Sequence, residues 1–576
     1  MSDQWIYPER NEQIHRSIVD EFHMHPVIAQ ILISRGFTDL SLIHQFLYAK
    51  LPNLYDPDLL ADMDVAVQRI LKALDNTENI LIYGDNDVDG ISAAALLTEF
   101  LRNVGGHVFF DIPDRISLKK SMIGNALEVA TKHCCTLLVT VDCGITAAKE
   151  IQELVSFGID VIVTDHHEPT SKIPHCVATL NPKLINSTYP NRELTGVGVA
   201  FKLAHALTNI LIEQGKINPS DIDLKKYLDL VALGTIADMG ALKGENRILV
   251  RYGLKQLSKM DRTGLAQLFV TSELEEGKLT PNDIASKIAP RLNSLGRIAD
   301  PIKGVELLLL HDPLQAEKLC IELDLNNLKR QRIEREAALD IEEMLCQFPE
   351  ILNEKAIVLQ SDKWHPGIIA ILAARIAKQM NRPTLILSLE QGVGKGSLRT
   401  TPEFPLLPVL SQNQDLLINF GGHDFAAGLT IKEENIPLFK KRFLESANSA
   451  LKEQDIQSKL HLDAKVTFED LTFDFIESLN LLEPFGNENP HPILYCDCVQ
   501  TRPPKAIGQF HLKLFFEQNG RELEGMAFGL GARKHELREK KLSLRIAFTP
   551  HVNTFLHKHS IQLQIKDFQL IGESNN

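Results

Sequence analysis

Four times within the first 240 residues an apolar run ends on an acidic residue: ENILIYGD closing at Asp85, TLLVTVD at Asp142, IDVIVTD at Asp165 and VALGTIAD at Asp238. Helix-forming segments such as GISAAALLTEFLRNVGG and TAAKEIQELVSFG lie between them. Apolar strands alternating with amphipathic helices predict a mostly parallel sheet with helices packed on it. In such a sheet, ligands collect just outside the carboxyl ends of the strands. The four segments are therefore expected at successive strand ends, delivering carboxylates and the imidazoles of His166 and His167 to one edge.

The first acidic segment, DNDVDG at 85–90, has the acid spacing of half an EF-hand loop. That reading fails, because the twelfth loop position is Leu96, which cannot ligate calcium, and the approach is a strand rather than a helix. A lone Asp at a strand end is ordinarily a helix cap or turn residue, and a His-His pair is ordinarily surface. Capping alone does not account for four such segments together. So many carboxylates at one edge repel one another unless cations neutralise them. Oxygen donors with one or two His nitrogens suit Mn²⁺ or Mg²⁺ better than zinc or copper. A shared carboxylate would hold two ions ~3.5–4 Å apart, the arrangement used for in-line phosphoryl displacement.

The 576 residues exceed what one core supports, so several domains are expected. No apolar stretch is long enough to span a bilayer, and the N-terminal MSDQWIYPERNEQIHRS has no apolar signal core. The eight cysteines form no zinc or disulfide framework, and Cys496 and Cys498 are expected to share one buried strand face. A reducing, cytoplasmic setting follows. The net charge of −14 excludes a wholly basic surface, so any nucleic-acid binding must use a local groove. A mixed-charge segment at 313–347 reads as a long connector helix, and a second α/β unit begins near KAIVLQSDKWHPGIIAILAARIAKQ. From about 456 short alternating strands take over, the pattern of a small β-barrel or sandwich.

YGDNDVDG, VDCGI, TDHHEP and ALGTIADM resemble the four motifs of the DHH phosphoesterase superfamily, in the order and spacing of its RecJ branch, the single-strand-specific 5′→3′ exonucleases. RLNSLGR, WHPGIIAILAARI, GKGSLRT, FGGHDFAAGL and PFGNENPHP are similar to later motifs of that branch, so the resemblance covers nearly the whole chain. It implies an α/β architecture: an N-terminal segment (1–50) packing on a parallel-sheet DHH domain (51–300), a connector helix (301–348), a DHHA1 substrate-binding domain (349–455) and an OB-like barrel (456–576).

The resemblance also assigns roles. Asp89, Asp142, His166 and Asp238 would hold one divalent cation, with Asp142 bridging to a second held by Asp87 and Asp85. His167 would contact the scissile phosphate, and Asp165 would orient an imidazole. Arg291, Asn293, Arg297, Lys395, Ser397, Arg399 and His423 would form a phosphate-holding wall, although either Arg291 or Arg297 could instead serve in an interdomain ion pair. The implied chemistry is metal-assisted hydrolysis of a phosphodiester, with Cys143 only a packing residue. Departures from the branch pattern are Asn86 between the first two acids, ISLKKSMIGN where a Gly-Tyr-Gly segment is usual, and Glu488 in place of a glycine.

In the last domain, Arg533, Lys534, Arg538, Lys540, Lys541 and Arg545 against Glu536 and Glu539 give a local excess of +4, a candidate backbone-tracking patch. Phe510, Phe515 and Phe516 are candidates for base stacking, though strand phenylalanines are more often core. The expected partner is single-stranded DNA, with a single-strand-binding protein and a helicase as further partners of a monomer that needs no membrane. Two other readings stay open: a DHH phosphodiesterase for short oligonucleotides or cyclic dinucleotides, and a non-catalytic scaffold of the Cdc45 type.

Overall fold

The computed structural model describes residues 3–113, 125–274, 277–537, 541–555 and 558–571. The ISLKKSMIG part of the segment at 116–125, together with Arg538, Glu539 and Lys540, lies outside them. The chain divides into two compact units, one of 50–456 with 486–488, the other of 1–49, 457–485 and 489–576.

The larger unit begins its sheet with β1 (Asn79–Gly84), which leads into α1 (Val88–Asn103). It continues with β2 (His107–Asp111), β3 (Leu137–Val141), β4 (Asp160–Thr164) and β5 (Ala178–Leu180). The strand order is β2-β1-β3-β4-β5, and every pairing is parallel. Because alternate residues of a strand face opposite sides, both faces must be apolar in a sheet covered twice. Ile80 and Ile82 pack under α1, α2 (Gly196–Glu213) and α3 (Leu228–Ala237). Leu81 and Tyr83 join Ala126, Ile151 and Leu154 on the other side.

The register of this sheet determines the site. Gly84 is opposite Val141, Val141 opposite Thr164, and Thr164 opposite Leu180. Four strands thus end in one row, and the next residues are Asp85, Asp142, Asp165 and Asn181. Each backbone takes one more ladder step: the N–H groups of Asp85, Asp142 and Asp165 donate to the carbonyls of Val141, Thr164 and Leu180.

The expectation that Asp238 follows a strand is corrected. Leu228–Ala237 is a helix, buried along most of its length, and Asp238 sits at its C-terminal end. A continuous apolar run does not distinguish a buried strand from a buried helix, and ten residues containing Gly234 and two alanines suit the helix.

Helix α4 (Ala289–Ile298) and the 35-residue α5 (Pro313–Gln347) lead to the second sheet. Its strands are β6 (Ile357–Ser361), β7 (Thr384–Glu390), β8 (Val393–Arg399), β9 (Leu417–His423) and β10 (Ala426–Lys432), in the order β9-β10-β8-β7-β6. Only β6 and β7 pair in parallel.

In the smaller unit the strands Leu494–Gln500, Ser543–Phe555, Lys558–Leu570, Arg521–Ala527 and His511–Gln518 follow one another, and a further pairing of the first with the last closes a five-stranded barrel. Cys496 and Cys498 are both buried in it, as their spacing suggested. The expected packing of residues 1–50 on the DHH domain is also corrected. Ile18, Ile28, Ile31, Leu32 and Phe46 share a core with Phe468, Phe475 and Phe516 of the barrel unit. Gln4–Ile6 also pairs in parallel with Lys459–His461. The apolar stripes of these N-terminal helices thus find their complement in the last domain, a long-range choice invisible to local pattern. Among the described residues no helix is long and apolar enough to cross a membrane.

Candidate metal centre and phosphate wall

The carboxylates converge because the strand ends align. Asp142, 1% exposed, and Asp89, fully buried, face His166, whose Nε2 lies 3.1 Å from Asp142 Oδ1, 3.7 Å from Asp238 Oδ2 and 3.9 Å from Asp89 Oδ2. Three donor groups have ligand atoms within 4.8 Å of one another: Asp89 with His166 and Asp238, Asp142 with His166 and His167, and Asp85 with Asp87 and Asp142. Asp142 belongs to two of them.

Glycines make this crowding possible. Gly90 lies against the Asp85 backbone, where a Cβ would come within 2.4 Å of the carbonyl oxygen. At Gly234 a Cβ would lie 2.5 Å from Asp89 Oδ1, and at Gly196 only 2.4 Å from Asp142 Oδ1. Gly196→Ala should therefore displace the Asp142 carboxylate, lowering stability by about 1–3 kcal/mol and cutting metal-dependent turnover. A thermal melt and a rate assay check this, and a variant with wild-type values in both would contradict the contact. The N-terminus of α2 also supplies the Gly196 and Val197 N–H groups to Asp89, at 2.6 and 3.0 Å. Asp87 caps α1 by accepting from the Asp89 and Gly90 N–H groups.

These residues fit divalent cations. Among the described residues, none gives a hydrogen bond to the buried carboxylate oxygens of Asp142 or to Nε2 of His166. Burial, and then the neighbouring acids, push Asp89 and Asp142 well above the ordinary carboxylate range and Asp238 up to about 7. Burial foremost, with the charge of His167 behind it, holds His166 down at about 3, the neutral form a ligand requires. A crowd of carboxylates strained in this way lacks positive charge, and its oxygen-rich donor set matches Mn²⁺ or Mg²⁺.

Asp165 plays a different part. Its Oδ1 accepts from the backbone N–H of His166 and of His167 and lies 2.7 Å from His167 Nδ1, while Oδ2 accepts from Ile145. Burial alone would raise Asp165, but the bond to His167 and the charges of both histidines hold it at about 2. Desolvation works against protonation of His167, yet the Asp165 hydrogen bond and charge raise it to about 9. With Nδ1 committed to Asp165, Nε2 of the half-exposed His167 is the nitrogen available to a substrate. Cys143 packs among the core residues beside β1, its Sγ reaching the Tyr83 carbonyl.

In the second sheet, Lys395, Ser397 and Arg399 alternate along β8 and so share one face. Arg399 is opposite Ala426, which is opposite His423; Ser397 is opposite Gly428, which is opposite Gly421. Small residues thus form a floor between Arg399 and His423. Burial, then the charges of Arg399, Lys183 and His167, lower the pKa of His423.

The RLNSLGR residues are placed less uniformly. Arg297 donates to the Gly367 carbonyl; burial lowers it first, and the neighbouring cations Arg330 and Arg399 add to that. Arg291 pairs with Asp324 of α5 at 3.0 Å, and Asn293 Oδ1 accepts the Val88 N–H. Gly296 lets α4 approach the Asn86 carbonyl, where a Cβ would stand 2.2 Å away. Arg330, in the middle of α5, bonds within its own helix to Glu334 at 2.7 Å and to Asn327 Oδ1.

Two described cations of the segment 531–545 are engaged within the fold. Arg533 is bonded to Glu536 and Asp567, and Arg545 to Asp497. Phe516 is core, whereas Phe515 lies beneath Arg502 and Lys513, and Phe510 is exposed.

The parallel sheet and its acidic edge coincide with a match to the family described as "DHH family, N-terminal domain" over residues 79–235. The second sheet matches "DHHA1 domain" over 353–452, and the barrel "RecJ OB domain" over 462–567. The fold and site thus define a phosphoesterase of the DHH class. Among curated proteins, the single-stranded-DNA-specific exonuclease RecJ of Bacillus subtilis is 34% identical over 570 residues, covering 98% of this chain and 70% of that protein. That of Escherichia coli is 30% identical over 577 residues, covering 96% and 98%. A crystal structure of RecJ in complex with Mn²⁺ from Thermus thermophilus superposes with a TM-score of 0.83 at 29% identity, covering 99% of this chain and 80% of that one. The chain belongs to the RecJ family.

Proposed function

We propose that this chain is a metal-dependent exonuclease specific for single-stranded DNA, which it degrades from the 5′ end to 5′-mononucleotides in DNA repair and recombination. The observation that carries the reading is the row of strand ends, where Asp142 stands in two donor groups with its buried carboxylate hydrogen-bonded to none of the described residues. Asp89, Asp142, His166 and Asp238 would hold one cation, and Asp85, Asp87 and Asp142 the other. Two divalent ions supply a nucleophilic water at neutral pH and offset the charge gained at phosphorus.

The chain's own groups do the positioning. Asp165 fixes His167 so that Nε2 addresses a phosphate oxygen. Arg399, Ser397, Lys395 and His423 hold the strand from the opposite side, with Arg297 beside them. Arg291 and Asn293 support this wall through α5 and the α1 N-terminus. The barrel is the proposed guide for the single strand, through exposed aromatic and cationic side chains such as Phe510 and Lys534. A cytoplasmic monomer working with a helicase and a single-strand-binding protein completes the reading.

The test is digestion of single-stranded and duplex DNA, labelled at either end, with Mn²⁺ or Mg²⁺. Mononucleotide release from the 5′ end of single strands alone is expected. Turnover of dinucleotides but not long strands would replace the reading with a small-substrate phosphodiesterase, and binding without cleavage would favour a scaffold. In the same assay Asp165→Asn should lose about 10–100-fold in rate while still binding Mn²⁺, because it disturbs the orientation of His167 rather than a metal donor. Lost Mn²⁺ binding would instead make Asp165 a direct ligand.

A further inference from the structure

The row of strand ends has a fourth member that the acidic motifs do not include. Strand β5 ends at Leu180 and continues as Asn181-Pro182-Lys183. This turn is tied to the His166-His167 segment: Asn181 Nδ2 donates to the His167 carbonyl at 2.9 Å, and Asn181 Oδ1 accepts the Lys183 N–H at 2.7 Å. Arg192 donates to the Lys183 carbonyl at 2.9 Å. The Lys183 backbone is therefore fixed beside His167, and its side chain is only 18% exposed.

Among the described residues its charged partner is Glu168, at 3.2 Å, with a side chain 62% exposed. An ion pair with so exposed a partner is worth about 0–1 kcal/mol and is easily given up for a stronger anion. Asp85, Asp87, Asp89, Asp142, Asp165 and Asp238 carry −6 when ionised; two divalent cations would return +4 and His167, bonded to Asp165, +1. The remaining −1 opposes a phosphodiester, so a fixed cation on the same edge has a clear use.

We propose that Lys183 is a substrate-binding residue whose ammonium group leaves Glu168 to bind a non-bridging oxygen of the substrate's phosphate beside the metal centre. A lysine suits this task as a mobile point charge on a pinned backbone. The inference rests on the exonuclease reading and adds to it a residue outside the acidic and DHHA1 motifs.

The experiment measures kcat and KM of the full chain on single-stranded DNA with Mn²⁺ for wild type, Lys183→Met, Lys183→Arg and Glu168→Gln. Lys183→Met should raise KM roughly ten- to a hundredfold, the loss expected for a charged hydrogen bond. Its log-log salt dependence should be shallower by about 0.7, the value of one single-strand phosphate contact. Lys183→Arg should restore most of the affinity, and Glu168→Gln should leave KM unchanged or lower. If Lys183 only ties two loops together, Glu168→Gln will raise KM as Lys183→Met does, and the proposal is overturned. An unchanged KM in Lys183→Met overturns it equally. If Lys183→Met does not fold, Glu168→Gln alone still decides by the direction of its KM. Failure of the wild type to cleave would instead overturn the exonuclease reading.

Discussion

Asp142→Asn should lower cleavage of single-stranded DNA by on the order of 10⁴-fold, as expected when one residue serves two parts of a catalytic unit. Asparagine is the right replacement for a conformational reason. Asp142 has φ 61°, the left-handed region, which asparagine tolerates and alanine does not. An alanine variant would mix lost ligation with backbone strain. The same variant should melt no lower than wild type in chelator, since it removes one charge from a buried, mutually repelling group. Wild type should then gain about 2.7 kcal/mol at a Mn²⁺ concentration a hundred times Kd, and the variant much less. A variant retaining a tenth of the activity would dismiss the shared-donor assignment.

The second large effect is on stability. Lys202, in the middle of α2, is fully buried and bonds to Glu245 at 2.6 Å and to the Tyr55 carbonyl. Glu245 in turn accepts from Tyr55 N–H and Tyr189 Oη–H. Removing one member leaves an unpaired buried charge, so Glu245→Ala should cost about 3–5 kcal/mol. Converting Lys202 as well, to Met, should recover part of that loss. Because α2 presents Gly196 and Val197 to Asp89, the single variant should also lose activity at temperatures where wild type is stable. Thermal melts and rates on the same samples would show this, and a loss below 1 kcal/mol would mean that water reaches the pair.

Much of the catalytic sheet could be read from local pattern because its strands are short, doubly buried and punctuated by acids. Asp85, Asp142 and Asp165 follow their strands as the apolar runs imply. Asp238 reaches the same place from a helix, since complete burial erases the periodicity that would have separated the two forms. The destination of residues 1–49 depended on matching apolar stripes hundreds of residues apart. Arg291, Arg533 and Arg545 show the limit of reading cations from composition: each charge is committed to a carboxylate that is distant in sequence or on another strand. Lys183 was silent for the opposite reason, since a single lysine after Asn-Pro looks like any turn until the strand ends are seen to align.

The aligned strand ends also bear on how the protein comes into being. The proposed cation ligands span residues 85 to 238, and they meet only when parallel strands with long crossovers have paired, a slow and non-local event. A chain still leaving the ribosome cannot assemble the complete centre before Asp238 has emerged. The nuclease thus acquires its chemistry as a late product of its own folding, and Mn²⁺ uptake during refolding would serve as a clock for completion of the sheet.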